Sequence, residues 1–496
     1  MLASASTLNV LFLTSEVHPF AKTGGLGDVS AALPAALNRH GHDVRVFMPL
    51  YGRIDPRKTP LRRVESLRDV RVSFGGRTWT LQVFAAPLPG TKLEVFLLHC
   101  PQLYGRAGLY THDADEHLRF LVLTWGALTC AQRMRFAPDV VHCNDWQTAL
   151  GPLLLKTRFA WDREIFGNAR TLLTVHNLNY QGRFPSSVVP DTGLSDSAHL
   201  FHQDQLREGM VNFLLHGILY ADAITTVSPT YAREIRTPEY GAGMDPFLRA
   251  RAASVFGILN GIDDQEWNPA VDAHLPARYS AAELPGKLAC KQRLLESAHL
   301  PFRPDVPLFA IVSRLAGQKG LDLLPDAMPR LLHRNRMQLV VLGSGERRFE
   351  RIFRELERRF PRQVRFQNKF DVGLSHRIEA GADFFLMPSR YEPCGLNQMY
   401  SLRYGTVPVV RRTGGLADTV EPWNPRTGEG TGIVFEHYDA AGLSWAVETA
   451  LQLYRDRAAY AQVQQAGMSR DFSWDAQVSK YEQVYSGGRA PAQRGG

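Results

Sequence analysis

Short apolar runs alternate along the chain with longer segments in which apolar residues recur every three or four positions. Runs of this length suit strands that are buried on both faces, and the intervening periodicity is that of amphipathic helices. The alternation predicts parallel sheets built from βα units. The predicted strands are Leu8–Leu13, Val44–Phe47, Leu93–Leu98, Val140–His142, Leu172–Val175 and Ile224–Val227 in the first half, and Phe309–Val312, Leu339–Leu342, Asp383–Met387, Val407–Val410 and Gly432–Phe435 in the second.

The strand pattern breaks at the proline- and alanine-rich stretch Trp267–Pro285 and then resumes. A chain of 496 residues usually forms more than one domain. The pattern therefore predicts an α/β protein of two Rossmann-like, doubly wound domains, with ligands in the interdomain cleft outside the carboxyl ends of the strands. The predicted divisions are domains at 1–255 and 256–465, a C-terminal helix in 466–486 with Trp474, Val478, Tyr481 and Tyr485 on one face, and a disordered tail, 487–496.

The composition is that of a globular protein, with 44% hydrophobic and 21% charged residues and a net charge of +8. The positive charge is spread along the chain and suits phosphates better than a nucleic acid. The five scattered cysteines, the lack of a signal peptide and the lack of a stretch of ~20 apolar residues predict a cytoplasmic protein with no membrane partner.

A Thr-Gly-Gly-Leu sequence occurs once in each half, at Thr23–Leu26 and Thr413–Leu416. Paired glycines ahead of a helix let a ligand approach the backbone, and the free N–H groups of the first helical turn favour an anion. A helix start without a ligand has the same pattern, but two matched copies favour a phosphate site. The residues assigned to it are Lys22, Gly24, Gly25, Thr413, Gly414 and Gly415.

Two cations, Arg314 and Lys319, directly follow the predicted strand Phe309–Val312. The Arg314 guanidinium can form two parallel hydrogen bonds to a phosphate, and the Lys319 ammonium supplies a point charge, so the pair suits a diphosphate. Solubilisation of the surface explains such a pair equally well.

Glu392 stands where the strand Asp383–Met387 ends and a helix begins. Its carboxylate could accept hydrogen bonds from the hydroxyl groups of a sugar, or it could cap the helix. Cys394 has no His or Lys beside it in sequence, which favours a contact role over a nucleophilic one. The backbone N–H groups predicted to face the same ligand are those of Cys394, Gly395 and Leu396.

Polar residues also follow two strands of the first half. Asp145 and His176 could hydrogen-bond a polyol, and the rings of Trp146 and Tyr180 could stack on a sugar. A lone histidine is more often structural, so the interpretation of His176 depends on its neighbours. The histidines lack the His-x-x-x-His spacing of a zinc site, and no metal site is predicted.

Together these motifs resemble the bacterial, ADP-glucose-dependent branch of the starch and glycogen synthase family, which extends α-1,4-glucans at the non-reducing end. The resemblance covers essentially the whole chain, in family order. The matching segments are Lys22–Asp28, Asp145–Trp146, His176–Leu178, Tyr180–Gly182, Thr226–Ala232, Asn260–Asp263, Ser313–Leu315, Gln318–Gly320, Glu392–Gly395 and Thr413–Leu416.

The resemblance implies a GT-B fold whose C-terminal helix crosses back to the first domain, and a reaction without cofactor or metal. It assigns Arg314 and Lys319 to the donor diphosphate, Glu392 to the transferred glucose, and His176 with Asp145 to the glucose and acceptor side. Phe370 falls where the family often has a tyrosine stacked on adenine. Lys22 is implied on the donor side, and Trp146, Asn177 and Tyr180 on the acceptor side.

Three positions depart from the wider pattern. Gln147 stands where many members have His, and Leu215 replaces a common Lys, which leaves the acceptor wall open to question. Tyr400 occupies the place of a second glutamate found in other retaining GT-B enzymes, as it does in the bacterial and plant synthases.

Other functions remain possible on sequence alone: a phosphorylase that carries pyridoxal phosphate on a lysine, a non-catalytic glucan-binding regulator, and, more weakly, a nucleic-acid binder. The sequence also leaves the choice between ADP-glucose and UDP-glucose open, because stacking on Phe370 tolerates several bases. It predicts no oligomeric state.

Overall fold

The computed structural model describes residues 7–487, and the chain divides into two compact units. Among the described residues, unit 1 consists of 7–227, 232–261 and 474–487, and unit 2 consists of 228–231 and 262–473. Apart from Gly487, the predicted tail 487–496 lies outside the described residues, as do residues 1–6.

The chain up to residue 261 alternates strands and helices. Its strands are β1 (Asn9–Leu13), β2 (Asp43–Pro49), β3 (Arg62–Arg63), β4 (Val70–Phe74), β5 (Arg77–Pro87), β6 (Glu94–His99), β7 (Val140–Asn144), β8 (Arg170–Val175), β9 (Arg183–Pro185), β10 (Met210–Asn212), β11 (Ala223–Thr226) and β12 (Val255–Gly257). Its helices are α1 (Gly25–Arg39), α2 (Pro101–Tyr104), α3 (Glu116–Arg133), α4 (Asp145–Thr148), α5 (Gly151–Lys156), α6 (Arg163–Phe166), α7 (Gln203–Arg207), α8 (Phe213–Tyr220), α9 (Pro229–Glu234) and α10 (Asp245–Ala250).

Unit 1 is built on one large sheet. Its parallel part has the order β12-β11-β8-β7-β1-β2-β6, so β1 and β7 are central neighbours. The predicted strands of the first half match strands of this parallel part. Because parallel strands end at the same edge, the residues that follow β1, β7 and β8 come close together there.

The sheet continues beyond β6 in a way that the apolar runs did not predict. Strand β5 pairs antiparallel with β6, and β3 and β4 pair antiparallel with β5. In β4, Val70, Val72 and Phe74 are buried while Arg71 and Ser73 are exposed. This alternation is typical of a strand with one solvent-facing side, and a search for continuous apolar runs overlooks it.

From residue 262 onward the chain repeats the βα pattern. The strands are β13 (Leu308–Val312), β14 (Gln338–Leu342), β15 (Val364–Gln367), β16 (Phe384–Met387), β17 (Val407–Arg411) and β18 (Ile433–Phe435). The helices are α11 (Pro285–Ser297), α12 (Leu324–Arg334), α13 (Arg347–Arg359), α14 (Val372–Gly381), α15 (Asn397–Arg403), α16 (Gly414–Thr419), α17 (Ala440–Arg455), α18 (Arg457–Met468) and α19 (Trp474–Tyr485).

The strands of unit 2 form an all-parallel sheet in the order β15-β14-β13-β16-β17-β18, the Rossmann order. Its two faces enter different cores: Phe309 and Ile311 of β13 pack into one cluster, and Leu308 and Ala310 into another. Burial on both faces explains why the predicted strands of this sheet are apolar runs, whereas β15, which alternates buried and half-buried residues, was not predicted.

Helix α19 has the predicted buried face of Trp474, Val478, Tyr481 and Tyr485. Although it follows unit 2 in sequence, it belongs to unit 1, where Arg39 of α1 donates to Asp475 at 2.8 Å. The Tyr485 hydroxyl also lies 2.8 Å from Nδ1 of the buried His142 in β7.

Candidate active site

Asp145 and His176 meet at the carboxyl edge of the unit 1 sheet, after β7 and β8. The backbone N–H of His176 donates to Oδ1 of Asp145 at 2.7 Å, and Asp145 has a left-handed backbone with φ of 52°. The side-chain amide of Asn144 donates to the carbonyl of Leu13 at 3.0 Å, so its oxygen faces His176 Nε2 at 2.9 Å. His176 therefore carries its proton on Nε2, and its Nδ1 is an acceptor.

Burial changes the ionisation of both side chains. It raises the pKa of Asp145 to about 7, while the backbone N–H groups of His176 and Asn177 oppose this rise. It lowers the pKa of His176 to about 3. At neutral pH His176 is a neutral hydrogen-bonding group, and Asp145 titrates in the physiological range.

The Thr23–Leu26 turn lies after β1, at the carboxyl edge of the same sheet. A Cβ added to Gly24 or Gly25 would meet nothing within 4 Å, so the space beside this turn is open. Lys22 pairs with Asp28 at 2.6 Å, with the two side chains 37% and 28% exposed. The turn thus offers space to an anion, and the nearby Lys22 ammonium can exchange Asp28 for that anion.

The other predicted residues of unit 1 differ in how exposed they are. Tyr180 is 54% exposed, and the Asn177 side-chain oxygen accepts from the N–H of Asn179 at 3.1 Å. Gln147 is buried, and its Oε1 has no hydrogen-bond partner within residues 7–487. Leu215 is fully buried in α8 and lines no open surface.

The Trp146 ring has little surface free for the predicted stacking of a sugar, and that stacking stays a prediction. The ring is 9% exposed and packs edge-on against Phe120, with centroids 5.0 Å apart, and against Phe184 at 5.6 Å. A Cβ at Gly182 would overlap the ring. Trp146 is therefore a core residue that supports the adjacent Asp145.

In unit 2, Lys319 and Glu392 form an ion pair at the carboxyl edge of the sheet. Lys319 Nζ lies 2.7 Å from Glu392 Oε2, and the Ser389 hydroxyl donates to the same oxygen at 3.0 Å. The Glu392 side chain is only 6% exposed, and that of Lys319 is 21% exposed. The sequence assigned Lys319 to the diphosphate and Glu392 to the glucose of the donor, and the structure places the two side chains in contact.

Close chain packing fixes this pair. Gly320 has φ of 67°, and a Cβ there would overlap the carbonyl oxygen of Pro388. The N–H of Arg390 also donates to the carbonyl of Gln318 at 2.9 Å. The loop that carries Lys319 thus lies directly against the loop that carries Glu392.

The second Gly-Gly copy differs from the first in its surroundings. A Cβ at Gly414 would overlap the carbonyl oxygen of Glu392, and one at Gly415 would overlap that of Cys394. Both glycines are needed for the turn to pack on the Glu392 loop. Chain packing accounts for them, and the assignment of Thr413, Gly414 and Gly415 to donor binding stays a prediction.

The remaining predicted residues of unit 2 differ in exposure. Arg314 is exposed, and no carboxylate within residues 7–487 pairs with it. Phe370 is 84% exposed, which leaves its ring open to stacking. Cys394 is buried and Gly395 has φ of 73°, while Leu396 immediately precedes α15.

The sequence interpretation missed Glu16 and Trp267. Glu16 stands three residues after the end of β1, and its carboxylate accepts from the N–H and the hydroxyl of Thr23. Its place at the carboxyl end of a central strand was the available signal. Trp267 stacks between His376 and Tyr400, with centroids 3.8 and 3.7 Å away, and nothing in its Pro-rich surroundings predicts this.

Within residues 7–487, no group of three His, Cys, Asp or Glu side chains is arranged to hold a metal ion. None of the helices in that range is long and apolar enough to span a membrane.

The chain matches two family models, the starch synthase catalytic domain over residues 9–250 and the group 1 glycosyl transferases over residues 293–466. The glycogen synthase of Anaeromyxobacter sp. is 49% identical over 98% of this chain and 100% of its own length. That of Myxococcus xanthus is 48% identical, with 96% and 99% covered.

Two solved structures also resemble the chain. The catalytic domain of starch synthase IV from Arabidopsis thaliana, bound to ADP and acarbose, is 35% identical with a TM-score of 0.89, covering 97% of this chain and 99% of that chain. A sucrose-phosphate synthase from Thermosynechococcus elongatus is 17% identical with a TM-score of 0.60, covering 97% and 98%, and shares the fold alone.

Proposed function

The chain belongs to the starch and glycogen synthase family of GT-B glycosyltransferases, and we propose that it transfers glucose from ADP-glucose to the non-reducing end of an α-1,4-glucan. The family, the two-domain α/β GT-B fold and the glycosyltransferase class predicted from the sequence are confirmed. The ADP and acarbose bound to the plant relative support the nucleotide and the glucan of this proposal.

The Lys319–Glu392 ion pair is the observation that carries the proposal. Transfer of a glucosyl group from a nucleotide needs positive charge on the leaving diphosphate and a hydrogen-bond acceptor for the sugar hydroxyls. Lys319 and Glu392 supply both within 2.7 Å of each other, and the exposed Arg314 adds a second cation. Donor binding exchanges the Lys319–Glu392 contact for contacts of each side chain with the donor.

In the proposed reaction the acceptor hydroxyl attacks C1 of glucose on the face from which ADP leaves. The bond from C1 to the β-phosphate oxygen breaks, the bond from C1 to the acceptor oxygen forms, and the hydroxyl proton passes to the departing phosphate. Lys319 and Arg314 stabilise the charge that develops on ADP, in the manner of other preorganised donors. The configuration at C1 is retained.

Unit 1 would act on the sugar. His176 presents its neutral Nδ1 as an acceptor for a glucose or acceptor hydroxyl, and Asp145 holds the backbone of His176 in place. The open turn at Gly24 and Gly25, with Lys22 beside it, is assigned to the donor. Tyr180 and Asn177 are assigned to the acceptor.

The charge assigned to Lys319 and Arg314 makes a metal unnecessary in this proposal. The five cysteines all lie among the described residues, are buried and form no disulfide with one another, which supports a cytoplasmic location.

The test is incorporation of radiolabelled glucose into glycogen primer from ADP-glucose and, in parallel, from UDP-glucose, each with and without EDTA. Incorporation from ADP-glucose that EDTA does not reduce supports the proposal. Incorporation from UDP-glucose alone would reassign the donor, and incorporation from neither would leave a glucan-binding role. An absorbance scan for bound pyridoxal phosphate tests the phosphorylase alternative.

A further inference from the structure

Glu16 is a buried carboxylate whose partners are all neutral. It is 2% exposed, and its oxygens accept from the N–H of Thr23 at 2.5 Å, the hydroxyl of Thr23 at 2.6 Å and the hydroxyl of Tyr110 at 2.5 Å. Within the described chain, no lysine, arginine or histidine forms an ion pair with it. A charge buried without a cation is costly, and these three donors offset that cost.

The donors are themselves held in place by buried groups. Tyr110 also hydrogen-bonds the Ser15 hydroxyl at 2.8 Å. The fully buried Arg119 donates to the carbonyl of Leu109 at 2.9 Å and pairs with Glu116 at 2.9 Å, which fixes the segment before Tyr110. Glu16 therefore stands on a rigid support and can hold Thr23 in one position.

Thr23 begins the turn that contains Gly24 and Gly25, and those glycines border open space. We infer that Glu16 is a positioning residue for the donor: its carboxylate holds Thr23 so that the turn keeps the shape in which the donor fits beside Gly24 and Gly25. This inference rests on the proposed function, which assigns that turn to ADP-glucose.

Glu16 also acts on Asp145 through its charge. Besides burial, the negative charge of Glu16 contributes to the raised pKa of Asp145, and the backbone N–H groups of His176 and Asn177 act in the opposite direction. One carboxylate thus supports the donor turn and affects the ionisation of the neighbouring aspartate. This gives the inference a second, independent readout.

The test is Glu16→Gln in the full-length protein. Glutamine has the same shape, but its amide nitrogen cannot accept a hydrogen bond, so the N–H or the hydroxyl of Thr23 loses its acceptor. We expect the KM for ADP-glucose to rise about tenfold or more while the KM for glycogen stays unchanged. The acid limb of the pH–rate profile should move to lower pH, because removal of a negative charge lowers the pKa of Asp145.

Asp162→Asn is the matched control. Asp162 accepts from a backbone N–H at the start of α6 and from the Gln132 side chain, and it is not part of the proposed site. Its amide variant should keep the donor KM and the pH profile of the parent. A variant that merely lost stability would lose activity, but its KM for ADP-glucose would not rise relative to its KM for glycogen.

Hydrogen exchange followed by mass spectrometry tests the inference without activity. Glu16→Gln should speed exchange in residues 18–27, and Asp162→Asn should not. Unchanged exchange in that segment, or a donor KM within about twofold of the parent, would overturn the role of Glu16. A wild-type protein that transfers no glucose would refute the proposed function instead, and the exchange result would still test Glu16.

Discussion

Asp145 shows how one residue combines backbone and ionisation constraints. Its φ of 52° places it in the left-handed region, which Asn and Asp occupy more readily than other side chains. Its carboxylate is buried yet has backbone donors, so it remains able to ionise near neutral pH. The residue type therefore suits both the backbone conformation and the chemistry.

Asp145 should make the stability of unit 1 depend on pH. The pKa of Asp145 in the folded state, about 7, lies above the value of 3.8 for an unperturbed aspartate. Its contribution to the free energy of unfolding is therefore fully present below pH 3.8 and is lost as the pH rises through about 7. Asp145→Asn removes this loss and keeps a residue that tolerates positive φ.

The measurement is the free energy of unfolding of both proteins between about pH 5 and pH 8. The parent should lose stability relative to Asp145→Asn across this range, by a few kcal/mol at most. The low pKa of His176 affects both proteins equally and cancels in the difference. Parallel curves would show that Asp145 does not titrate as described.

Lys319 carries the largest share of the proposed catalysis. Lys319→Ala should lower kcat by roughly two to three orders of magnitude, because a preorganised group that stabilises developing charge contributes about 3–4 kcal/mol. Arg336→Ala is the control. Arg336 is an exposed cation of unit 2 that pairs with Asp305, and its removal should leave kcat unchanged. Activity of Lys319→Ala within a few-fold of the parent would contradict the assignment.

At the scale of elements, continuous apolar runs predicted the parallel strands except β12 and β15, because strands covered on both faces have few polar positions, whereas β12 is only half-buried and β15 alternates buried with half-buried residues. The same criterion missed β4 and β5, whose alternating residues face solvent on one side. The repeated Gly-Gly motif was also predicted, but sequence could not show that Gly415 meets a carbonyl group while Gly25 meets open space. That difference depends on distant parts of the chain.

The two copies of the motif should respond differently to the same substitution. Gly415→Ala should lower the free energy of unfolding by about 1–3 kcal/mol, because its Cβ overlaps the carbonyl of Cys394. Gly25→Ala should leave stability unchanged or slightly raised, because alanine favours the helix that begins there, yet it should raise the donor KM by occupying space beside the turn.

Thermal unfolding and donor kinetics of the two variants provide the check. Equal losses of stability would show that the space beside Gly25 is not open. A normal donor KM for Gly25→Ala would remove the turn from the donor site.

At the scale of the whole molecule, the chain returns to unit 1 after completing unit 2. Helix α19 buries Trp474, Val478 and Tyr481 there, and Tyr485 bonds the buried His142. The sequence predicted the apolar face of this helix from its spacing. The residues that the helix contacts could not be predicted, because they lie hundreds of positions earlier: Arg39 precedes Asp475 by 436 positions, and His142 precedes Tyr485 by 343.

A chain that ends at Ser473 should destabilise unit 1 on the order of 5 kcal/mol, since burial of each large apolar side chain contributes about 1.5–3 kcal/mol. Hydrogen exchange resolved by peptide should show faster exchange in unit 1 and unchanged exchange in the core strands of unit 2. Equal effects on both units would contradict the assignment of α19 to unit 1.

The most direct test of the account is the bond that the protein makes. Glycogen labelled by the protein from radiolabelled ADP-glucose is digested with β-amylase, which removes maltose from non-reducing α-1,4-linked ends. We predict that essentially all of the label is released as maltose. Label that remains in the undigested polymer, or no incorporation from ADP-glucose, would contradict retaining transfer to the non-reducing end of an α-1,4-glucan.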